Sequence, residues 1–494
     1  MGQYKLQLRA KLDIVQKESI REELAITIRE ILEKQSVIYI DELREKLRLP
    51  TTITDEEIIS IASKIKPEAI IVKEEYHWYD EHPTAKHKIN TKTLKEILKE
   101  KAREYGLNKI EDYAAKILHL PRKTIEKYLE WFKTDKKKLE IKALKKFCNT
   151  FNINYKKLEE HNVFLDYKFP VNLRSPTIIK LKTHILNEGT LRARKGHYEA
   201  RYANQDPLLH TYVRQLLKEL GKEPRTPPLS SKEAMITYIN GTTARILHAA
   251  GIPPGPKTKT NPPLDPKIFK NPELRKYHIQ TTLTEEGSSY LRAYKGRLLM
   301  TISWSRSIDI TDKLTEEERK FLEAMITNGN RKILASKVKY SKVYSKILQN
   351  CPALLYDEVQ AFYGAHRNLG KKALPKLYPK SIHVSKDGRV TVAWYALIHS
   401  PEVIDVIYHE YGMLPGTWKA KRFQKQYAIF KEYRDRKLTM KKVEEIRKLI
   451  SEISSEIPEE WVWEKMKELF PDATWAVELN NVRRMLKHER KDKD

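Results

Sequence analysis

The nine residues Leu181-Lys-Thr-His-Ile-Leu-Asn-Glu-Gly189 recur in altered form as Ile279-Gln-Thr-Thr-Leu-Thr-Glu-Glu-Gly287. Each stretch predicts the end of a helix that is closed by a glutamate and a glycine. The residues that follow also match, because Leu191-Arg-Ala-Arg-Lys-Gly196 corresponds to Leu291-Arg-Ala-Tyr-Lys-Gly296. A third match, 251–257 with 412–419, comes in the same order. The sequence therefore contains an internal duplication.

Composition restricts the class of partner. The 494 residues are enough for three or four domains, and 94 lysines and arginines against 66 acidic residues give a net charge of +28. Such an excess favours a polyanion, with nucleic acid as the first candidate. No apolar run of about 18 residues and no signal-peptide core occurs, so we expect a cytoplasmic, nucleoid-associated protein without membrane contact. The spacing of Cys148 and Cys351 supports neither a disulfide framework nor a zinc site.

Residues 1–85 predict three helices followed by a small hairpin. The helices are expected at 20–32, 39–47 and 56–65. The hairpin is inferred from the alternation of Ile70, Val72 and Tyr76. This order resembles a winged helix, and a plain helical domain with a β-appendage is the open alternative.

Residues 86–165 contain an apolar pattern typical of two helices joined by a tight turn. Counted from Ala115, the spacing resembles the helix-turn-helix of the phage-repressor and Cro family, although His119 stands where that family usually has glycine. Ala115 is expected where the two helices touch, and Pro121 opens the second helix. The resemblance implies that the start of the second helix contacts the DNA major groove. The residues concerned are Arg122, Lys123, Thr124 and Lys127. A helical bundle with a solvated basic face is the alternative.

The duplicated stretches match the consensus that names the LAGLIDADG homing-endonuclease family. The matching residues are Leu181, Ile185, Glu188 and Gly189 in the first copy, and Ile279, Leu283, Glu286 and Gly287 in the second. The resemblance implies an α+β fold of two αββαββα repeats around a pseudo-two-fold axis. Its expected segments are 176–270, 271–437 with a helical insertion near 313–355, and a helical C-terminal domain at 438–494. Lys182 and Gln280 replace the family's small residues, so we expect them to point outward from a helix interface that is looser or more polar than usual.

Glu188 and Glu286 are the candidate catalytic and metal-binding residues that the resemblance implies, because it brings them together at the helix ends. Two carboxylates about 4 Å apart repel each other by roughly 4 kcal/mol at an effective dielectric constant near 20. Mg²⁺ would relieve this repulsion and activate water. The family also places a lysine near the attacking water, and Lys257 and Lys419 are the candidates at equivalent turns. Alternatively, the glutamates cap helix ends and the lysines are ordinary surface residues.

Each motif is followed by a predicted hairpin with one apolar face and one polar, basic face. The polar face of the first hairpin contains Arg192, Arg194, His197, Glu199 and Arg201, opposite a face that includes Leu191, Ala193 and Tyr202. The polar face of the second contains Arg292, Tyr294, Arg297, Thr301 and Ser303. A two-stranded ribbon of this kind fits the major groove of double-stranded DNA. A solvated surface is the alternative.

These patterns favour a metal-dependent, site-specific endonuclease that hydrolyses phosphodiester bonds in double-stranded DNA. A non-enzymatic, sequence-specific DNA-binding regulator on the same scaffold is the alternative, which the additional helix-turn-helix favours. An RNA-splicing cofactor of the same fold is a third hypothesis. Because one chain contains both copies, a monomer would be sufficient for a site with pseudo-two-fold symmetry.

Overall fold

The computed structural model is a mixed α+β protein of helices and several sheets. None of the helices in the described part of the chain combines the length and apolar character that a bilayer span requires. The structure describes residues 20–33, 37–49, 53, 55–66, 70–194, 197–222, 229–230, 234–294, 297–326, 331–436, 445 and 457–471.

The N-terminal region forms a small helical core. Its elements are helix α1 over residues 20–33, β1 (Val37–Tyr39), α2 (Ile40–Leu47), α3 (Asp55–Ile65), β2 (Ile70–Val72) and β3 (Glu75–Tyr76). The predicted hairpin is wrong, because β2 pairs in parallel with β1, and β3 pairs with the distant strand Val171–Asn172. Alternation identifies a strand with a buried face, but tertiary packing selects its partner.

The next region is a second, larger helical core. Its elements are β4 (Lys86–Asn90), α4 (Thr91–Glu104), α5 (Ile110–Asp112) with a π turn at Tyr113–Ile117, α6 (Arg122–Leu129), β5 (Lys136–Glu140), α7 (Ile141–Thr150), α8 (Tyr155–Glu160) and β6 (Val171–Asn172). Strands β4 and β5 pair antiparallel on either side of α4 to α6. Leu144, Phe147 and Leu158 are buried in this core.

The turn between α5 and α6 has a left-handed residue at His119, where φ is 49°. Non-glycine residues seldom adopt this conformation, so the histidine takes the geometry for which glycine is the usual residue. The expected helix contact at Ala115 is wrong, because Ala115 is exposed and Ala114 is buried. The π turn contains one residue more per turn than an α-helix, which moves the contact face by one position.

The first copy of the duplication follows in the order helix, strand, strand, helix, strand, strand, helix. Its elements are α9 (Pro176–Glu188), β7 (Gly189–Arg194), β8 (His197–Asn204), α10 (Pro207–Glu219), β9 (Leu229–Ser230), β10 (Met235–Ile239) and α11 (Gly241–Ala249). The sheet has the strand order β7-β8-β10-β9. Two short helices, α12 (Lys257–Thr260) and α13 (Pro266–Lys270), lead to the second copy.

The second copy repeats this order with additional elements in the middle. Its elements are α14 (Pro272–Glu285), β11 (Gly287–Tyr294), β12 (Arg297–Asp309), α15 (Glu316–Ala324), β13 (Lys332–Leu334), α16 (Lys342–Gln349), α17 (Ala353–Ala365), β14 (Lys376–Val384), β15 (Val390–Ile398) and α18 (Pro401–Val406), which a π turn extends to Tyr411. The strand order β11-β12-β15-β14 matches that of the first sheet, and β13 joins its edge. In the first copy, β8 leads directly into α10, so α15, β13 and α16 have no counterpart there.

Helices α19 (Trp418–Arg436) and α20 (Glu459–Leu469) complete the described part of the chain. Val462 and Met466 of α20 are buried against Met235, and Trp461 and Trp463 pack around them. These aromatic residues are half-buried and line this small core. Residues 472–494 of the predicted helical C-terminal domain lie outside the described residues.

Local sequence explains where the two motif helices begin and end. Each begins with a polar cap followed by proline, at Ser175 and at Asn271, whose side chains accept backbone hydrogen bonds from the first turn. Each ends at a glycine that begins a strand. A Cβ atom at Gly189 would lie 2.6 Å from Cα of Ile185, and one at Gly287 would lie 2.3 Å from the carbonyl oxygen of Leu283. The chain can turn directly from helix into strand because this residue has no side chain.

Candidate active site

Helices α9 and α14 pack side by side through buried polar contacts. The hydroxyl of Thr183 lies 3.0 Å from Nδ1 of His278, and Nδ1 of His184 lies 2.6 Å from Glu285. Tyr202 also donates to Glu285. The helix interface is therefore polar, as the mid-motif residues predicted.

Lys182 and Gln280 make equivalent contacts at the far sides of the two helices. Lys182 Nζ donates to the carbonyl oxygen of Ala250 at 2.7 Å and to Asp265 at 2.9 Å. Gln280 donates to the carbonyl oxygen of Tyr411 at 2.9 Å. Both side chains point away from the neighbouring motif helix, but Lys182 is buried rather than outward in solvent. Its charge is tolerated there because a carboxylate and a helix-end carbonyl oxygen accept hydrogen bonds from the ammonium group.

Glu188 and Glu286 come together at the ends of the two helices. Burial raises the pKa of Glu188 to about 8, and the nearby charges of Glu286 and Glu285 contribute to the increase. Lys257 and Lys419 oppose it. The site therefore resists ionisation of both carboxyl groups at once, as expected for close like charges.

Lys257 and Lys419 lie at this same point, one from each copy. Lys257 Nζ donates to the carbonyl oxygen of Leu186 at 3.0 Å and to that of Asn187. Lys419 Nζ donates to the carbonyl oxygens of Glu285 at 2.9 Å and Gly287 at 3.0 Å. Burial lowers the pKa of both ammonium groups. Each lysine thus places a positive charge at the C-terminal end of one motif helix, beside the carboxylate of that helix.

Arg306 is a site residue that the sequence reasoning missed. Its guanidinium lies 3.0 Å from Glu286 and donates to Glu358 at 2.7 Å and to the side chain of Asn187. Burial alone would raise the pKa of Glu358, but Arg306 and His278 outweigh it and lower that pKa to about 2. The alternation of β12 could have identified it, because Arg306 lies on the same face of the strand as the buried residues Trp304 and Ile308.

An open cleft adjoins this cluster and would give a ligand access to it. It encloses roughly 660 Å³, part of which is open solvent, and its polar lining includes Lys257, Asn261, Glu286, Ser305, Arg306 and Ser307. Both a carboxylate and cationic groups therefore face the cleft.

The carboxylate pair has a donor set that a hard divalent cation could use. Described residues provide no cluster of three or more histidine, cysteine or acidic side chains suited to a metal. Mg²⁺, however, commonly binds through one or two carboxylates and keeps several waters. Burial is the main cause of the raised pKa of Glu188, so a cation bound there would have to displace a proton. Glu188 and Glu286 are the two carboxylates that would hold such an ion.

The first sheet presents the predicted basic face. In the strand register, Arg192 lies opposite Glu199 and Arg194 lies opposite His197. These arginines and the histidine are exposed. The guanidinium of Arg201 lies 5.0 Å from the ring centre of Tyr238, a partly exposed residue of β10 that the sequence reasoning did not identify. Ala193 is exposed although it was expected on the core face. It lies near the hairpin tip, beyond the core that covers Leu191. The turn residues 195–196 lie outside the described residues.

The second sheet agrees only in part. Arg292 is exposed, whereas the side chains of Tyr294 and Arg297 fall outside the described part of the structure. Thr301 and Ser303 are buried, contrary to expectation, and they lie on an interior strand that is paired on both sides. The sequence reasoning also missed Lys380, whose ammonium lies 4.1 Å from the ring centre of Tyr395, and Tyr378, which contacts the same ring.

The predicted recognition helix presents its charges to solvent. Arg122 is 91% exposed and donates to Glu126 at 2.8 Å. Lys123 and Lys127 are exposed, and Thr124 is half-buried. These residues lie far from the carboxylate pair in sequence, and the buried side of their helix, with Ile125 and Tyr128, packs in a different core.

Residues 76–173 contact the first copy through a shared core and buried charges. Ile178, Ile246 and Ala250 belong to the same apolar cluster as the helices of 86–165. The wholly buried carboxylate of Glu81 pairs with Arg245 of α11. The two regions therefore share buried surface that neither could cover alone.

Comparisons with known proteins give a weak structural similarity and no sequence match. No protein-family profile matches the chain, and no curated protein matches it. Among solved structures, the crystal structure of the LAGLIDADG homing endonuclease I-GzeII in complex with its DNA target is similar, with 10% sequence identity and a TM-score of 0.31. The match covers 57% of this chain and 98% of that chain. Function is therefore inferred from the residues of this chain itself.

Proposed function

We propose that this chain is a metal-dependent, site-specific endonuclease of the LAGLIDADG type that hydrolyses phosphodiester bonds in double-stranded DNA. The observation that carries the proposal is the meeting of Glu188 and Glu286 at the ends of adjacent helices, with Lys257, Lys419 and Arg306 around them. Phosphodiester hydrolysis requires acidic groups that hold a cation and basic groups that stabilise the charge of the transition state. This cluster contains both.

Glu188 and Glu286 would hold Mg²⁺, which supplies activation of water and stabilisation of the leaving oxygen. Arg306 orients Glu286 through its second contact with the buried Glu358. Lys257 and Lys419 place a positive charge beside each carboxylate, where an ammonium group can donate a hydrogen bond to a phosphate oxygen. Their lowered pKa values reduce the barrier to releasing a proton there.

The basic sheet faces support duplex DNA as the substrate. Arg192, Arg194 and Arg201 lie along one two-stranded ribbon, and Arg292 lies on the first strand of the equivalent ribbon of the second copy. Arginine on a ribbon of this width can pair with guanine in the major groove. Two ribbons in one chain provide a surface for both halves of a target, so a monomer would be sufficient.

A sequence-specific, non-enzymatic DNA-binding regulator is the second candidate function. The exposed first turn of α6, with Arg122 and Lys123, supports it, because a helix after a tight turn is a common means of reading the major groove. A regulator would not require the carboxylate pair, and the burial of Glu188 disfavours the metal-free fold near neutral pH. The enzyme is therefore the stronger proposal.

The deciding experiment combines target discovery with two isosteric variants. Genomic fragments are incubated with the protein in Mg²⁺, and the new ends are mapped by sequencing. Glu188→Gln and Glu286→Gln should each abolish cutting, since glutamine keeps the shape but loses the charge. Both should retain DNA affinity in Ca²⁺. Discrete binding sites without metal-dependent cuts in wild type would favour the regulator.

A further inference from the structure

The additional elements of the second copy bring a basic edge next to the exposed face of its sheet. We define the basic edge as residues 331–349, which contain strand β13 and helix α16. In the strand register, Lys332 of β13 lies opposite His383 of β14, and His383 lies opposite Thr391 of β15. Ile333 is buried, so alternation places Lys332 and His383 on the outer face. That face is therefore continuous from the central strands to β13.

The basic edge has a one-sided charge. It contains six basic residues and no acidic residue. The basic residues are Arg331, Lys332, Lys337, Lys339, Lys342 and Lys346. Lys346 is already held by Glu318, and Arg331 donates to the carbonyl oxygen of Ser385. Lys337, Lys339 and Lys342 are exposed. A group of exposed lysines of this kind attracts a polyanion.

Tyr340 gives the basic edge a second binding group. It is 97% exposed, and the ammonium group of Lys339 lies 5.9 Å from its ring centre. Tyrosine hydroxyls, like lysines, donate hydrogen bonds to DNA phosphates. The combination fits a phosphate backbone better than an apolar protein partner.

Helix α15, in the same insertion, has the opposite character. Its four acidic residues outnumber its two basic residues, Arg319 and Lys320; the acidic residues are Glu316, Glu317, Glu318 and Glu323. A DNA duplex would be repelled from this helix, so any contact should be restricted to the basic edge. The first copy has no equivalent elements, and residues 76–173 pack on that copy instead.

We propose that the basic edge binds the phosphate backbone of duplex DNA flanking the half-site of the second copy. This inference rests on the proposed function, because it takes the sheet face as the DNA surface. It predicts an asymmetric footprint. The N-terminal helix-turn-helix would extend protection on one side, and the basic edge would extend it on the other.

The test compares two charge-matched double variants in the full-length chain. Lys337→Ala/Lys339→Ala removes two charges from the basic edge, and Lys313→Ala/Lys320→Ala removes two beside or within acidic α15. Binding to a selected duplex is measured across salt concentrations, with hydroxyl-radical footprinting. The first variant should lose protection at one outer boundary and reduce the salt slope by roughly 1–2 units. The second should match wild type.

The outcomes separate this inference from the proposed function. If wild type binds the duplex but the basic-edge variant keeps its footprint and slope, the inference is wrong while the endonuclease proposal stands. Equal losses in both doubles would also overturn it, because they would indicate general attraction. If wild type binds no duplex, both proposals fail. Unchanged thermal unfolding of each variant verifies that the fold is intact.

Discussion

The guanidinium of Arg306 lies 3.0 Å from Glu286 and thereby connects the candidate site to a buried carboxylate, Glu358. Gly287 pairs with Trp304 in the second hairpin, just as Gly189 pairs with Tyr202 in the first. Two residues further along, the second copy therefore has Arg306 where the first has Asn204. The two carboxylates of the site are chemically different despite the duplication.

Arg306→Met should lower the free energy of unfolding by about 3 kcal/mol or more, because it leaves the buried carboxylate of Glu358 without its strongest partner. Arg306→Met/Glu358→Gln should recover part of the loss, since the unpaired charge is removed as well. Denaturant titration of both variants provides the measurement. Equal stability of wild type and Arg306→Met would show that the ion pair adds nothing to the fold.

The stability of the metal-free protein should fall as pH rises from 4.5 to about 8. In the folded protein, the carboxyl group of Glu188 keeps its proton up to about pH 8, whereas in the unfolded chain it loses the proton near pH 4.5. The free energy of unfolding therefore decreases as pH rises across this interval. Glu188→Gln removes the effect and should be more stable than wild type at pH 8 but not at pH 4. Chemical denaturation with EDTA, compared with Ca²⁺, measures it. A constant difference between the two proteins would contradict the assignment.

Gly287→Ala should destabilise the protein by roughly 2 kcal/mol or more, because the added methyl would meet the backbone of Leu283. The control is Gly364→Ala in helix α17, where no atom lies within 4 Å of the new methyl. That change should be neutral or stabilising by about 0.5–1 kcal/mol. Thermal unfolding of the two variants distinguishes a close helix-to-strand approach from a general intolerance of substitution.

Arg122→Ala and Lys123→Ala should weaken DNA binding with little change in melting temperature, because both side chains are exposed. Each lost phosphate contact should reduce the salt slope by roughly one unit. Thr150→Ala, on a different helix of the same core, is the control. Unaltered binding in both variants would exclude α6 as a DNA contact.

Arg192→Ala should change which sequences are bound, by about 1–3 kcal/mol at the affected base pair. Lys380→Ala should instead weaken all targets alike, if its charge serves the phosphate backbone. A randomised duplex library scored for both variants separates base contacts from backbone contacts. A uniform loss with Arg192→Ala would remove that arginine from sequence recognition.

Features encoded by local sequence were predictable. The motif helices end where Glu-Gly predicts, and the hairpin registers pair Arg194 with His197 and Tyr294 with Arg297, as two-residue turns require. Caps, turns and alternation depend on neighbours in the sequence. Lys257 and Lys419 were found because the duplication places them at equivalent turns.

Features that depend on tertiary packing were not predictable in the same way. The pairing of Ile70–Val72 with β1 follows from contacts between distant elements, which alternation does not encode. The exposed face of β14 escaped notice because Lys380 becomes significant only beside Tyr395 of the next strand. The shift from Ala115 to Ala114 arises from a π turn that no simple residue count includes.

The core that residues 76–173 share with α9 and α11 limits how this protein can be shortened. A fragment that began at Pro176 would expose Ile178, Ile246 and Ala250 to water and leave Arg245 without Glu81. Such a truncation would leave an exposed apolar patch on the first copy. A shorter derivative would therefore need polar replacements at these apolar positions, or would have to retain the preceding helices that cover them.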